Sequence, residues 1–189
     1  MERLDLPNVV NKESIRSIYK DVHNIVHPME RKKKPITKEG AISRLESLCS
    51  RSEQCEYDLE QKMFRWGLPK PDREEVMAHL KEHRYVDNAR FARSYANDKA
   101  RFSSWGPFKI RIELAKKRIP GTMITEALQN VEQDVWREGL WKIATSKARS
   151  LDIKGEDGYD DRQKLYRYLL SRGFPSKACS SVIRKLLQA

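Results

Sequence analysis

Three apolar–proline pairs recur along the chain at nearly regular intervals, and they constrain its fold more than any other feature. The pairs are Leu68-Pro69, Ile119-Pro120 and Phe174-Pro175, which lie 51 and 55 residues apart. The residue before a proline is disfavoured in the helical region of backbone conformation, so each pair predicts a break between two helices. A period of about 50 residues predicts a chain of similar structural units.

Apolar residues occupy the same positions around all three pairs, at −9, −5, +8, +9 and +12 from the apolar residue of the pair. These distances place them on one face of a helix on each side of the break. With the residue of the pair itself there are eighteen such positions in a sequence that is 39% apolar. Chance would fill all of them with odds of roughly 4 × 10⁻⁸, before correction for the choice of register. The residues are Leu59, Met63, Leu68, Val76, Met77 and Leu80, then Ile110, Leu114, Ile119, Ala127, Leu128 and Val131, then Leu165, Leu169, Phe174, Val182, Ile183 and Leu186.

Good capping residues follow each break. Asp72, Thr122 and Ser176 can each cap the helix after the proline, and Asp72 with Glu75 has the spacing of a capping box. The sequence therefore predicts that the second helix of each break starts at these residues.

A further helix fits upstream of each break, because apolar residues recur there at helical spacing. They are Ala41, Ile42, Leu45 and Leu48, then Phe91, Ala92 and Tyr95, then Leu140, Ile143, Ala144, Ala148 and Leu151. Each unit then has three helices, and neighbouring units cover part of each other's apolar faces. We predict an all-α protein, an elongated and curved array of three tandem three-helix repeats at residues 37–86, 87–133 and 134–189.

Residues 1–36 lie outside the period and predict an N-terminal helical extension. An amphipathic stripe runs from Ile15 to Val26 behind a possible Asn11 cap, and the basic run Arg31–Lys34 follows it. Two interpretations stay open for this helix: it docks on the repeats, or it makes a separate contact with a partner.

The charge balance narrows the classes of partner. Lys and Arg number 38 against 27 Asp and Glu, which gives a net charge of +11 and favours nucleic acid, an acidic protein surface or anionic lipid. Neither a signal core nor an apolar stretch of membrane-spanning length occurs, and three cysteines without a C-x-x-C pair suit a reducing compartment. We expect a cytoplasmic protein with no membrane contact, and a monomer.

Catalytic motifs are scarce. The sequence from His79 to His83 reads H-x-x-E-H, a zinc-hydrolase pattern, but Leu80 belongs to the repeat and no third ligand is evident. His23 and His27 are also four residues apart, but Pro28 ends their helix. With neither a P-loop nor a nucleophile elbow, we predict that the chain is not an enzyme and has no metal or cofactor.

Basic residues are densest in the middle repeat, where they form either a solvated face or a surface that binds a partner protein or DNA. This set consists of Arg90, Arg93, Lys99, Arg101, Lys109, Arg111, Lys116, Lys117 and Arg118, together with the apolar Ile112. Ile112 falls opposite the inward-facing Ile110 and Leu114, so it either contacts a partner or packs on the next repeat.

Aromatic residues alternate with these cations and could stack on bases, although their more common role is core packing. The residues concerned are Tyr95, Phe102, Trp105 and Phe108, and Trp136 and Trp141 are also expected in structural positions.

The middle of the chain resembles the signature of the RecX family. The matching residues are Tyr85-Val86-Asp87, Arg90-Phe91-Ala92, Tyr95, Trp105-Gly106-Pro107, Ile110, Glu113-Leu114 and Lys117-Arg118-Ile119, with flanking matches at Tyr57, Leu59, Lys62, Trp66-Gly67, Leu169 and Arg172-Gly173-Phe174. The resemblance covers about residues 37–189. It departs from the family pattern at Arg118, where the other two repeats have Gly67 and Gly173.

This resemblance implies a regulator that lies in the groove of the RecA filament. Such a protein contacts neighbouring RecA subunits and the bound DNA, lowers ATP hydrolysis and blocks strand exchange during recombination and repair. The alternative is an architectural protein that binds DNA directly, as the net charge and the repeated helix–break–helix units would also allow.

Overall fold

The computed structural model describes residues 36–155 and 158–188, and within these residues it contains nine α-helices and no strand. The first group of three is α1 (Lys38–Cys49), α2 (Glu56–Arg65) and α3 (Lys70–Glu82). The second is α4 (Asn88–Arg101), α5 (Pro107–Lys116) and α6 (Gly121–Gln129), and the third is α7 (Gln133–Ala148), α8 (Tyr159–Ser171) and α9 (Ser176–Gln188). The prediction of an all-α repeat fold is therefore confirmed.

Some predicted features lie on residues that the structure does not describe. The N-terminal amphipathic helix, its basic run, and His23 and His27 lie outside the part of the chain that the structure describes. From the grouping of the helices, we propose that the three repeats begin near residues 37, 87 and 134. Among the described helices, none combines the length and apolar character that a bilayer crossing requires.

The same turn ends the second helix of every group. In the first group, the Leu68 N–H donates to the Met63 carbonyl (3.1 Å) and the Gly67 N–H to the Phe64 carbonyl (2.9 Å), the bonds of a Schellman motif. The motif needs a left-handed residue, and Gly67 has a φ of 76°. The corresponding bonds are Arg118 to Ala115 (2.9 Å) and Ile119 to Leu114 (3.2 Å) in the second group, and Gly173 to Leu170 (2.8 Å) and Phe174 to Leu169 (3.4 Å) in the third.

A proline begins the next helix immediately after each turn. The Pro69 backbone is extended, with φ −57° and ψ 152°, and its carbonyl accepts the Arg73 N–H at 3.0 Å. The carbonyls of Pro120 and Pro175 accept the N–H groups of Ile124 and Cys179 in the same way.

The predicted helix start is confirmed at Ser176, the first residue of α9, and is wrong at the other two breaks. Asp72 and Thr122 lie inside the first turns of α3 and α6, which have no side-chain cap bond. Because the fixed φ of proline and its extended ψ already direct the carbonyl into the first helical hydrogen bond, each helix starts directly after the proline.

The eighteen repeat positions belong to the core. Fifteen of these residues are buried, and the remaining three, Met77, Leu128 and Leu186, are partly buried. They divide among three apolar clusters, one in each group of helices. The Trp136 side chain packs against both the second and the third cluster, so it links their cores.

Charged and polar side chains join the first and second groups. The Glu56 N–H donates to the Asn88 side-chain oxygen, and the Asn88 amide donates to the Glu56 carboxylate, both at 3.0 Å. Arg90 pairs with Glu53 at 2.6 Å. The only buried residue that the first group adds to the second cluster is Cys55, which immediately precedes α2.

Backbone contacts join the second and third groups. The N–H groups of Gly106 and Phe108, at the start of α5, donate to the carbonyls of Arg172 (2.8 Å) and Gly173 (3.0 Å). The first N–H groups of a helix have no partner within it, and here the turn after α8 supplies two. A Cβ on Gly106 would overlap the Gly173 carbonyl and the Phe174 nitrogen, so this contact requires glycine at position 106.

Gly106→Ala should destabilise the protein by at least about 3 kcal/mol, because the added methyl group overpacks the contact and separates two backbone hydrogen bonds. Urea unfolding of the full chain measures this effect. The matched control is Gly121→Ala, since a Cβ there meets nothing within 4 Å. The control should change stability by less than about 1 kcal/mol. Equal midpoints for the two variants would contradict this account of the contact.

Candidate partner-binding surface

Helix α5 presents an exposed apolar stripe. Ile110 and Leu114 are fully buried and hold the helix on the core. By the period of 3.6 residues, Phe108, Ile112 and Lys116 then point away from it. Phe108 is 54% exposed and Ile112 is 55% exposed. We call these three residues the α5 stripe, and large apolar side chains so exposed on adjacent turns are typical of a binding surface.

Lysines cover an aromatic ring beside this stripe. The Lys109 ammonium lies 4.4 Å from the Trp105 ring centroid, and the Lys99 ammonium lies 5.2 Å from it. Lys99 is also 5.4 Å from the ring of Tyr95. We call Tyr95, Lys99, Trp105 and Lys109 the lysine–aromatic cluster. Cation–π attraction orders these flexible lysines and keeps their positive charge at the surface.

Other members of the predicted basic set lie around α5 and α4. Lys116 donates to Glu113 at 2.8 Å, and this hydrogen bond lowers the pKa of the Glu113 carboxyl below its usual value. Arg111 reaches the Thr125 hydroxyl at 3.5 Å, and Arg101 reaches Glu132 at 3.4 Å. Seven members of the predicted set lie on α4 or α5 and away from the junction with the first group. They are Arg93, Lys99, Arg101, Lys109, Arg111, Ile112 and Lys116.

The remaining three members of the set are engaged at the junction with the first group. Arg90 pairs with Glu53, as described above, and Arg118 lies 4.9 Å from the Tyr57 ring centroid. Lys117 pairs with Asp58 at 2.5 Å. Burial works to lower the pKa of Lys117, but the hydrogen bond and charge of Asp58 outweigh it, so the pKa lies above its usual value. The structure thus separates Arg90, Lys117 and Arg118 from the cations around the stripe.

Some of the aromatic residues pack against the core and others are exposed, a difference that the sequence did not predict. Tyr95 and Trp105 pack partly buried against the middle core, as expected. Phe102 is 80% exposed, Phe108 is 54% exposed and Trp141 is 43% exposed, so the expectation that they fill the core was wrong. For Phe108 the signal was available, because it lies about 160° from Ile110 around the helix. Phe102 directly follows the last residue of α4, as its C-terminal cap.

The H-x-x-E-H segment has a structural arrangement. His79 Nε2 lies 2.8 Å from a Glu46 carboxylate oxygen, and the His83 ring nitrogen lies 2.9 Å from the His79 carbonyl. Leu80 between them is fully buried. Within residues 36–155 and 158–188, no group of three or more His, Cys, Asp or Glu side chains is placed to hold a metal ion.

Comparison with known proteins identifies two of the three groups. The family model described as RecX, second three-helix domain, matches residues 87–128, and the model described as RecX, third three-helix domain, matches residues 140–183. These ranges coincide with most of α4–α6 and α7–α9. The chain belongs to the RecX family.

Relatives in several bacteria carry the name regulatory protein RecX. The Clostridium perfringens strain 13 protein is 27% identical over 157 residues, which cover 81% of this chain and 73% of the relative. The Pectobacterium atrosepticum protein is 34% identical over 113 residues, covering 59% of this chain and 65% of the relative. Membership of the family supports a role as a RecX regulatory protein.

Solved RecX structures have the same fold. RecX from Lactobacillus salivarius superposes with a TM-score of 0.67 and 20% identity, covering 80% of this chain and 97% of that one. A second crystal structure of regulatory protein RecX gives 0.68 and 22% identity, covering 95% and 80%.

The RecX signature residues have identifiable structural roles. Asp87 caps α4 by accepting the N–H groups of Ala89 (2.8 Å) and Arg90 (3.0 Å), and these bonds lower the pKa of its carboxyl. Gly106 makes the close contact with Gly173. The signature therefore contains residues that build the junctions between helix groups, in addition to those that surround the α5 stripe.

Substitution of Arg118 tests its structural role in this RecX chain. Arg118 has a φ of 58°, which is unfavourable for a residue with a Cβ. Arg118→Ala should cost about 0.5–1 kcal/mol, because it loses the contact with Tyr57 and keeps the strained backbone. Arg118→Gly loses the same contact but relieves the strain, so thermal unfolding should find it about 1 kcal/mol more stable than Arg118→Ala. An alanine variant as stable as the glycine variant would contradict this role.

Proposed function

We propose that this chain is a non-catalytic, monomeric regulator in the cytoplasm that binds the RecA filament and inhibits its ATPase and strand-exchange activities. The α5 stripe is the observation that carries the proposal. Membership of the RecX family supports the choice of partner, and the inhibition would act on ATP turnover by RecA, since the sequence has no P-loop of its own.

The chemistry of the stripe favours a protein partner. Phe108 and Ile112 offer adjacent apolar side chains that lose their contact with water when a partner covers them. Lys116 continues the stripe, and Lys109 and Arg111 flank it on opposite sides of the helix. An apolar centre within a rim of cations suits a protein surface that has apolar pockets and carboxylates.

The lysine–aromatic cluster allows a second contact, with DNA inside the filament. Lys99 and Lys109 are placed to neutralise phosphates, a contact that does not depend on base sequence. Because both lysines lie against the Trp105 ring, base stacking on that ring would require them to move away. We therefore propose phosphate contact and not base stacking, and we retain a purely DNA-binding architectural role as the alternative.

Replacement of the stripe tests this proposal. Phe108→Ser and Ile112→Ser should each raise the protein concentration required for half-inhibition of RecA by about tenfold, because each removes an apolar contact at the interface. The assay measures ATP hydrolysis and strand exchange by RecA on single-stranded DNA with sub-stoichiometric amounts of the regulator.

The matched control is Phe64→Ser, which removes an aromatic side chain that is 62% exposed in the first helix group. This control should inhibit like the parent protein, and all three variants should keep the parental melting temperature, since the side chains face solvent. Unchanged inhibition by Phe108→Ser and Ile112→Ser would reject the stripe as the contact. Failure of the parent protein to inhibit RecA would reject the filament role itself, and tight binding to naked DNA would then favour the architectural alternative.

A further inference from the structure

An apolar groove lies between α7 and α9 and reaches α5, where Pro107 and Arg111 line it. It consists of two adjoining cavities of about 400 and 470 Å³. Arg137, Leu140 and Ala178 line both cavities, so the two are continuous. We call this surface the α7–α9 groove, and its two continuous cavities can take successive side chains of a peptide.

The base of the groove is apolar. Leu140 and Val182, which line the groove, belong to the third core cluster. Phe174 and Pro175 line the cavity that reaches α5. Trp141 stands at one edge with 43% of its surface exposed. A large apolar side chain placed against these residues would cover the Trp141 ring and lose its own contact with water.

The rim of the groove is mainly positive. Arg111 lies at the α5 end, Arg137 lies at the middle and Lys185 lies at the far end, and the lining contains one carboxylate, Glu138. Arg137 also pairs with the exposed Asp134, one turn earlier on α7. Neither Arg111 nor Lys185 has a carboxylate within 4 Å among the described residues.

The helix that forms one wall strengthens this charge. Helix α9 carries Lys177, Arg184 and Lys185 and contains neither Asp nor Glu. Of these, Lys185 lines the groove, and Lys177 and Arg184 lie outside its lining. A partner that enters the groove therefore meets a cation and no carboxylate on this wall, which favours an acidic segment and disfavours a basic one.

We propose that the α7–α9 groove binds an acidic amphipathic peptide segment of a partner protein. An apolar side chain of this segment lies against Leu140, Trp141 and Val182. Its carboxylates pair with Arg111, Arg137 and Lys185. This contact is additional to the α5 stripe and does not depend on the proposed filament role.

A synthetic peptide tests the proposal directly. The probe is a labelled, end-capped peptide in which Leu and Phe recur at helical spacing and every other position is Asp or Glu. Its control has Lys at each acidic position. Fluorescence anisotropy with the full-length protein should show saturable binding of the acidic peptide with a Kd below about 100 μM, and no saturation with the basic control.

Variants place the binding in the groove. Lys185→Glu and Trp141→Ala should each weaken binding of the acidic peptide by about tenfold, because one reverses a rim charge and the other removes the apolar edge. The matched control is Lys177→Glu, the same charge change at an exposed residue of α9 outside the groove lining, and it should weaken binding by less than about threefold. Ile112→Ser should leave the peptide affinity unchanged, so failure of the filament proposal would not alter this result.

Several results would overturn the proposal. They are absence of saturable binding by the acidic peptide, equal losses for Lys185→Glu and Lys177→Glu, and full affinity in Trp141→Ala. The groove would be assigned to nucleic acid by two results together: a single-stranded oligonucleotide displaces the peptide, and Lys185→Glu weakens binding of the oligonucleotide more than binding of the peptide. A dimer in sedimentation equilibrium that Trp141→Ala dissociates would assign it to a second copy of the chain.

Discussion

The Schellman turn followed by proline is the constraint on which the other features of the structure depend. The turn ends a helix, its next residue is buried in the core, and the proline carbonyl starts the following helix. Because the same turn occurs at residues 67–69, 118–120 and 173–175, the second and third helices of every group are joined by the same local geometry. In the third group the turn has a second role, since the carbonyls of Arg172 and Gly173 bind the start of α5.

The two junctions differ in chemistry, and this difference determines which cations remain available. The first junction uses side-chain charges, among them Arg90 and Lys117. The second uses backbone hydrogen bonds and the close approach of Gly106 to Gly173. Helix α5 contributes to both: its last turn leads to Lys117, its first turn meets the third group, and its outer face carries the stripe. A partner that covers α5 would therefore contact the part of the molecule that both junctions hold in place.

The sequence predicted most of the fold because its strongest signal was local and repeated three times. Burial of the periodic residues, fifteen of them buried and three partly buried, followed from helical spacing alone. Two of the three predicted helix starts were wrong because proline, and not the polar residue after it, determines where each helix starts. The uses of the basic residues could not be predicted, since Lys117 and Lys116 are neighbours and yet one pairs with Asp58 across the junction while the other pairs with Glu113 on its own helix. Such a division depends on contacts between residues far apart in the chain.

Photo-cross-linking from the α5 stripe tests the proposed mode of action most directly. A benzophenone side chain is placed at position 112, and in a control protein at position 64, and each protein is irradiated with RecA filaments assembled on single-stranded DNA. The account predicts a covalent adduct with RecA from position 112 and none from position 64. An adduct from position 64 alone, or adducts from position 112 with DNA only, would contradict it.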